Sequence, residues 1–142
     1  MDETLIQIDI AEAFGARAKG QRFSIYVPNK DQNANAVAQG IWVDEGLRLL
    51  ADICGGASAM PPIQGAWLNP HTRQLIIEEP VVIYSHIEPE VFAQRLGELR
   101  GFIHHMGAET GQGQMAFEFD GEFYLIDIAP PKPNRPGSKE KS

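Results

Sequence analysis

Between Phe92 and Met106 an apolar residue recurs every three or four positions, and this spacing constrains the fold more than any other feature. Its members, which share one face of an α-helix, are Phe92, Leu96, Leu99, Ile103 and Met106. Pro89 suits the first helical position, where a missing N–H costs nothing. We therefore predict one helix from about Pro89 to Met106, capped by Gly107, with an apolar face that must be buried against other elements.

The segments around this helix alternate apolar and polar residues, which is typical of β-strands. A second helix is predicted from about Val43 to Cys54, ended by Gly55. Pro80 cannot donate a ladder hydrogen bond, so it marks a bulge or an edge in its strand. The predicted strands cover residues 22–27, then 63–69 and 73–87 around an Asn69–Pro70 turn, then the two arms of a hairpin at Asp120–Gly121, with a further strand suggested at 4–10.

The resulting order of strand, helix, two strands, helix, two strands is typical of an α+β domain. We predict a ferredoxin-like fold, with two helices packed on one face of a mostly antiparallel sheet. A chain of 142 residues has room for one such domain, which we place at residues 1–128, leaving the structure of residues 1–20 open. Residues 129–142 contain four Pro, four basic residues and one acid, a composition that predicts a disordered tail.

The charge distribution narrows the possible partners and location. The tail carries +3 of a total of −7, so residues 1–128 hold −10, which repels phosphates and leaves nucleic-acid binding only to the tail. The chain has no apolar run of the ~20 residues that span a bilayer, and its acidic start is unlike a signal peptide. With Cys54 as its lone cysteine, it forms no intrachain disulfide. We predict a cytoplasmic protein that is not membrane-bound.

The segment from His104 to Gln114 concentrates polar groups and three glycines at a helix end. Two readings stay open for it: a helix cap, or a loop that contacts a ligand through closely approached backbone. Adjacent histidines point about 100° apart on a helix, which opposes a shared metal ion. We predict no metal site and no cofactor.

Further candidates lie on the predicted strands. Glu78 and Glu79 are adjacent, so they face opposite sides of a strand, and one of them can face a pocket. Tyr84 and His86 share a face that Trp67 can join across the ladder, although such aromatic residues commonly belong to the core. The candidate contacts for a ligand or partner are Trp67, Glu79, Tyr84, His105, Glu109 and Gln112.

Several short motifs resemble, in order and pattern, small uncharacterised bacterial proteins of domain-of-unknown-function type. They are Gly55-Gly56-Ala57-Ser58, Gly65-Ala66-Trp67, Glu79-Pro80 before an apolar strand, Met106-Gly107, and Glu109-Thr110 before Gly111-Gln112-Gly113-Gln114. The resemblance covers about Phe23 to Ile126. It implies a ferredoxin-like α+β fold and no particular activity.

Two functions remain open from the sequence. The absence of a catalytic signature and the acidic body favour a small binding or regulatory module that acts through protein–protein contacts, as an inhibitor, an antitoxin or a homo-oligomer, with a protein partner or a homodimer. The alternative is a small enzyme with a pocket formed by Trp67, Glu79, Tyr84 and residues 105–114. In that enzyme Glu79 or His105 would act as the general base.

Overall fold

The computed structural model describes residues 8–128 and shows an α+β domain. Its helices in this range are α1 (Ile10–Phe14), α2 (Gln39–Cys54), α3 (Pro89–Gln94) and α4 (Leu96–Glu109). Its strands are β1 (Gln21–Val27), β2 (Ser58–Ala59), β3 (Gly65–Leu68), β4 (Leu75–Glu78), β5 (Val81–Ile87), β6 (Gln114–Phe119) and β7 (Glu122–Asp127). The predicted disordered tail lies outside the described residues.

The main sheet has five strands in the order β2-β5-β1-β6-β7, and each neighbouring pair is antiparallel. Strand β1 lies in the middle because Phe23, Ile25 and Val27 are all buried on one of its faces. The strand predicted at residues 22–27 is thereby confirmed. The mostly antiparallel α+β class is confirmed as well.

The buried face of this sheet is covered by α2 and α4. Leu50 from α2 and Leu99 from α4 belong to the same buried cluster as Phe23. Helix α2 lies very close to β5, since a Cβ at Gly46 would be 2.2 Å from Ile83 Cδ1. The opposite face of the sheet carries polar and aromatic side chains, among them Arg22, whose guanidinium carbon is 3.9 Å from the centre of the Tyr84 ring.

Pro80 separates two sheets, which the sequence did not predict. The chain before it forms β4, which pairs with β3 in a two-stranded sheet of its own, whereas the chain after it enters the main sheet as β5. In the hairpin Trp67 is opposite Ile76. The prediction that Trp67 joins Tyr84 and His86 across one ladder is therefore wrong, because Trp67 lies in the two-stranded sheet whereas Tyr84 and His86 lie on β5 of the main sheet.

The predicted helix of residues 89–106 is interrupted and longer than expected. Arg95, with φ −107° and ψ 14°, ends α3 and precedes α4, and its side chain bonds to Asp52 and Glu98. Gly107 is inside α4 and is not its cap, because the helix runs to Glu109. A Cβ at Gly107 would be 2.7 Å from Ile128, so glycine is needed there for close packing.

The end of one predicted strand also differs. Residue Ile10, expected at the end of a strand, begins α1, because the Asp9 side chain accepts a hydrogen bond from Glu12 N–H and caps the helix.

The β6–β7 hairpin is confirmed, with φ of 53° at Asp120 and 86° at Gly121, the two positive values of a type I′ turn. None of the helices in residues 8–128 is long and apolar enough to cross a membrane.

Candidate active site

A groove of about 740 Å³ lies between the β3–β4 hairpin and the β6–β7 end of the main sheet. We call it the hairpin groove. Residues of the hairpin, of the loop after β1, of the turn after α4 and of strands β6 and β7 line it. Its size is within the usual range for small-molecule sites, about 300–1,000 Å³.

The hairpin contributes an aromatic ring and a carboxylate to this groove. Trp67 and Glu78 occupy neighbouring strands on the same face, since residues two apart on a strand share a side. The indole N–H of Trp67 donates to Glu78 Oε2 at 3.4 Å, a long hydrogen bond. Trp67 keeps 48% of its surface exposed, so its ring is available to a bound ligand.

The base of the hairpin is held by two amide side chains. Gln39, at the start of α2, donates from Nε2 to the carbonyl oxygens of Val27 and Glu79, at 3.1 and 3.0 Å. Asn29 Oδ1 accepts from the Glu79 N–H at 3.0 Å. Gln39 is also the first residue of α2, four positions before the start that the apolar periodicity predicted. These bonds fix where the hairpin leaves the main sheet.

The loop after β1 forms a second wall and is organised by Asp31. Its carboxylate accepts hydrogen bonds from the N–H groups of Asn33 and Asn35, at 2.8 and 2.9 Å. The Asn35 bond is the main cause that holds the pKa of Asp31 below its usual value, because these donors stabilise the charged form. The carboxylate of Asp31 is thus occupied within its own loop.

Gln112 joins this loop to the turn after α4. Its Nε2 donates to the Lys30 carbonyl at 2.7 Å and to the Thr110 carbonyl at 3.0 Å. The backbone N–H of Gln32 donates to the Gly111 carbonyl at 3.1 Å. A Cβ at Gly113 would be 3.0 Å from Gln32 Oε1, so the two segments are in close contact.

The third wall is the open face of the main sheet. Phe123 and Leu125 on β7 line the groove and are exposed. The Phe123 ring meets Tyr26 edge-on, with centroids 5.9 Å apart. Partial burial, and then the neighbouring Glu118 carboxylate, raise the pKa of Tyr26.

Of the six candidate residues from the sequence, the structure brings two to the groove, Trp67 and Gln112. Glu79 is exposed, and its backbone serves the base of the hairpin. Tyr84 stacks under Arg22 on the main sheet. His105 and Glu109 lie on exposed positions of α4, and the His105 ring contacts Trp42 at 5.5 Å between centroids.

The pocket expected from Trp67, Glu79, Tyr84 and residues 105–114 is therefore not formed as a unit. Glu78 faces the groove, whereas its neighbour Glu79 does not line it. Adjacent strand residues face opposite sides, so only one of the two glutamates can face the groove. Ile76 pairs with Trp67, and the residue two positions later, Glu78, lies on the same face as Trp67. Knowledge of this pairing would have selected Glu78. Lys30 and Phe123 were missed because nothing local connects them to the hairpin. Within residues 8–128 no three His, Cys, Asp or Glu side chains are grouped to hold a metal ion.

No known family model matches the chain, and no curated protein is significantly similar to it in sequence. Two solved structures are similar in fold. One is a phage SAM lyase in complex with S-methyl-5'-thioadenosine, with a TM-score of 0.57 and 17% identity over 79% of this chain and 92% of the lyase. The other is a phage SAM lyase in the apo state, with a TM-score of 0.52 and 18% identity over 80% and 93%.

These similarities correct the main functional prediction. The sequence favoured a binding or regulatory module acting through protein–protein contacts, as an inhibitor, an antitoxin or a homo-oligomer. That prediction is wrong, because these two solved structures are enzymes and share the fold over 92% and 93% of their length. They favour the alternative of a small enzyme. At 17–18% identity the likeness itself establishes the fold alone.

Proposed function

We propose that this protein is a small lyase that binds a sulfonium nucleoside of the S-adenosylmethionine (SAM) type and releases S-methyl-5'-thioadenosine from it. The observation that carries the proposal is the hairpin groove, in which Trp67 and Glu78 lie on one face of a hairpin opposite the main sheet. The fold shared with SAM lyases supports the choice of this ligand class.

The groove has the groups that such a ligand requires. The indole of Trp67 and the ring of Phe123 are exposed apolar surfaces, 48% and 56% accessible, on which an adenine base can stack. A sulfonium is a cation, and aromatic faces and carboxylates both attract cations. Glu78 is the carboxylate available in the groove, because its hydrogen bond from Trp67 is long, whereas the carboxylate of Asp31 is occupied by Asn33 and Asn35.

The chemistry requires mainly binding and orientation. The substrate's own α-carboxylate can displace the sulfur: a carbon–oxygen bond forms at the γ-carbon, closing a lactone, as the carbon–sulfur bond breaks. The electron pair of the broken bond neutralises the sulfonium, so S-methyl-5'-thioadenosine leaves as a neutral thioether without being protonated. The protein therefore acts by holding the substrate in the conformation in which this bond can break. Glu78 binds the positive end of the substrate, and Trp67 holds the nucleoside.

The direct test is to incubate the purified protein with SAM and to follow S-methyl-5'-thioadenosine by liquid chromatography and mass spectrometry. Binding of S-methyl-5'-thioadenosine alone is measured by calorimetry. We expect product formation by the wild-type protein, at a rate that increases with protein concentration. If no product forms and the nucleoside does not bind, the proposed function is wrong.

Adjacent glutamates provide a matched pair of variants. Glu78→Gln removes the groove carboxylate and is expected to lower kcat/KM by about 100-fold, the size of effect seen when a preorganised electrostatic contact is removed. Glu79→Gln makes the same chemical change at an exposed site outside the groove, and its kcat/KM should stay within a factor of two. Equal losses in the two variants would contradict a site at Glu78.

The finer description of the scaffold is also a proposal. A ferredoxin-like arrangement is supported by α2 and α4, which both contribute to the buried cluster on the Phe23 side of the sheet. The cytoplasmic location, the protein partner or homodimer, and the resemblance to uncharacterised bacterial proteins stay predictions.

A further inference from the structure

We propose that Lys30 binds the α-carboxylate of the ligand, so that the hairpin groove selects nucleosides that still carry an amino-acid end. This inference rests on the proposed function and specifies which part of the substrate the groove recognises. It concerns a residue that neither the sequence pattern nor the hairpin itself indicated.

The charged side chains that line the groove are Lys30, Asp31 and Glu78. Asp31 is occupied by its hydrogen bonds to the loop backbone. The ion pairs found within 4.0 Å in residues 8–128 all involve Arg95, so Lys30 and Glu78 do not neutralise each other there. Among the described residues, the groove thus offers one ammonium and one carboxylate that are not in an ion pair, and the carboxylate accepts a long hydrogen bond from Trp67.

These two charged groups belong to different walls of the groove. Lys30 follows β1, whereas Glu78 ends β4 of the hairpin. The backbone of Lys30 is held in place by a β-bridge to Ala36 and by the Gln112 amide on its carbonyl at 2.7 Å. Its side chain is exposed, and the long aliphatic stem lets the ammonium reach a ligand while the backbone stays fixed.

This arrangement complements the amino-acid end of a SAM-type ligand, which has an ammonium and a carboxylate on one carbon near the sulfonium. The carboxylate of the ligand pairs with Lys30, and the ammonium and sulfonium of the ligand lie toward Glu78. S-methyl-5'-thioadenosine has no carboxylate and gains nothing from Lys30. The wild-type groove should therefore bind the intact ligand more tightly than the released nucleoside, which helps the product to leave.

The experiment compares two probes by calorimetry. Sinefungin keeps the amino-acid end and a positive amine at the sulfur position, and it cannot release a thioether. S-methyl-5'-thioadenosine lacks the amino-acid end. Lys30→Met should weaken sinefungin binding about ten-fold, as expected for one charge-assisted contact, with no change for S-methyl-5'-thioadenosine. Lys30→Arg should restore sinefungin binding to within about three-fold, since it keeps the charge.

Lys19→Met is the control for net charge. Lys19 is exposed and lines a separate small cavity with Cys54 and His86, so both probes should bind this variant as they bind the wild type. The inference is overturned if Lys30→Met leaves sinefungin affinity unchanged or weakens both probes equally. A wild-type protein that binds neither probe overturns the proposed function as well, which separates the two failures.

Discussion

Replacement of Gly107 by alanine tests the close packing between α4 and the end of the main sheet. The added Cβ would be 2.7 Å from both Cδ1 and Cγ1 of Ile128 and 2.8 Å from Met115 Cγ. Both neighbours are at least 92% buried, so they have little room to move. Overpacking of this kind costs about 1–3 kcal/mol, and alanine returns about 1 kcal/mol through its higher helix propensity. We expect a net loss of about 0–2 kcal/mol in the free energy of unfolding.

The assay is urea denaturation, followed by far-UV circular dichroism and by tryptophan fluorescence. Gly101→Ala is the matched control, because Gly101 is an exposed residue of the same helix whose added Cβ meets nothing within 4 Å. That variant should be more stable than the wild type by about 0.5–1 kcal/mol. The two variants thus make the same chemical change, and their free energies of unfolding should differ by the overpacking cost of about 1–3 kcal/mol.

A Gly107→Ala protein as stable as Gly101→Ala would refute the packing argument. It would mean that Ile128 and Met115 can shift without cost, and that glycine at position 107 has no packing role. The m-value should be equal in all three proteins, because a change in m would indicate a different unfolded or native ensemble.

Three further predictions concern single side chains. Leu99→Ala, which empties a site that is 1% exposed, should lower the free energy of unfolding by about 2–5 kcal/mol in the same urea assay. Gly121→Ala, at φ 86°, should destabilise the β6–β7 turn by about 1 kcal/mol, and hydrogen exchange of β6 and β7 should increase; unchanged exchange would contradict the positive-φ requirement. The Asp31 pKa is depressed in the folded protein, so its stabilising effect is present above the unfolded value of 3.8 and is lost as the pH falls through the lower folded value. Asp31→Asn should therefore reduce the acid dependence of Tm, and an identical pH profile would contradict it.

The parts of the fold that the sequence predicted are those decided by local interactions. The β6–β7 hairpin follows from Asp120–Gly121, since a type I′ turn and two alternating arms need no information from elsewhere. The apolar face of α4 was also predicted, because the three- and four-residue spacing of its apolar side chains lies within the helix itself. The end of α4 was not, since Gly107 is required by Ile128, a residue 21 positions later in the chain.

The candidate site was predicted less well for the same reason. Trp67 and Gln112 were selected for their chemistry and do line the groove. Choosing between Glu78 and Glu79 required the pairing of Trp67 with Ile76, and that pairing depends on β4 leaving the main sheet at Pro80. Lys30 became a candidate only because the fold brings it to the groove, where its carbonyl accepts a hydrogen bond from Gln112, 82 residues away.

The separate ladder of the β3–β4 hairpin has a consequence for engineering. Within residues 8–128 its strands form no ladder with the main sheet, and its tip, from the half-buried Asn69 to Gln74, turns through hydrogen bonds of its own. The tip can therefore be shortened, lengthened or exchanged while the buried cluster beneath α2 and α4 keeps its packing. A library confined to these six positions would vary the entrance to the groove on an otherwise constant scaffold.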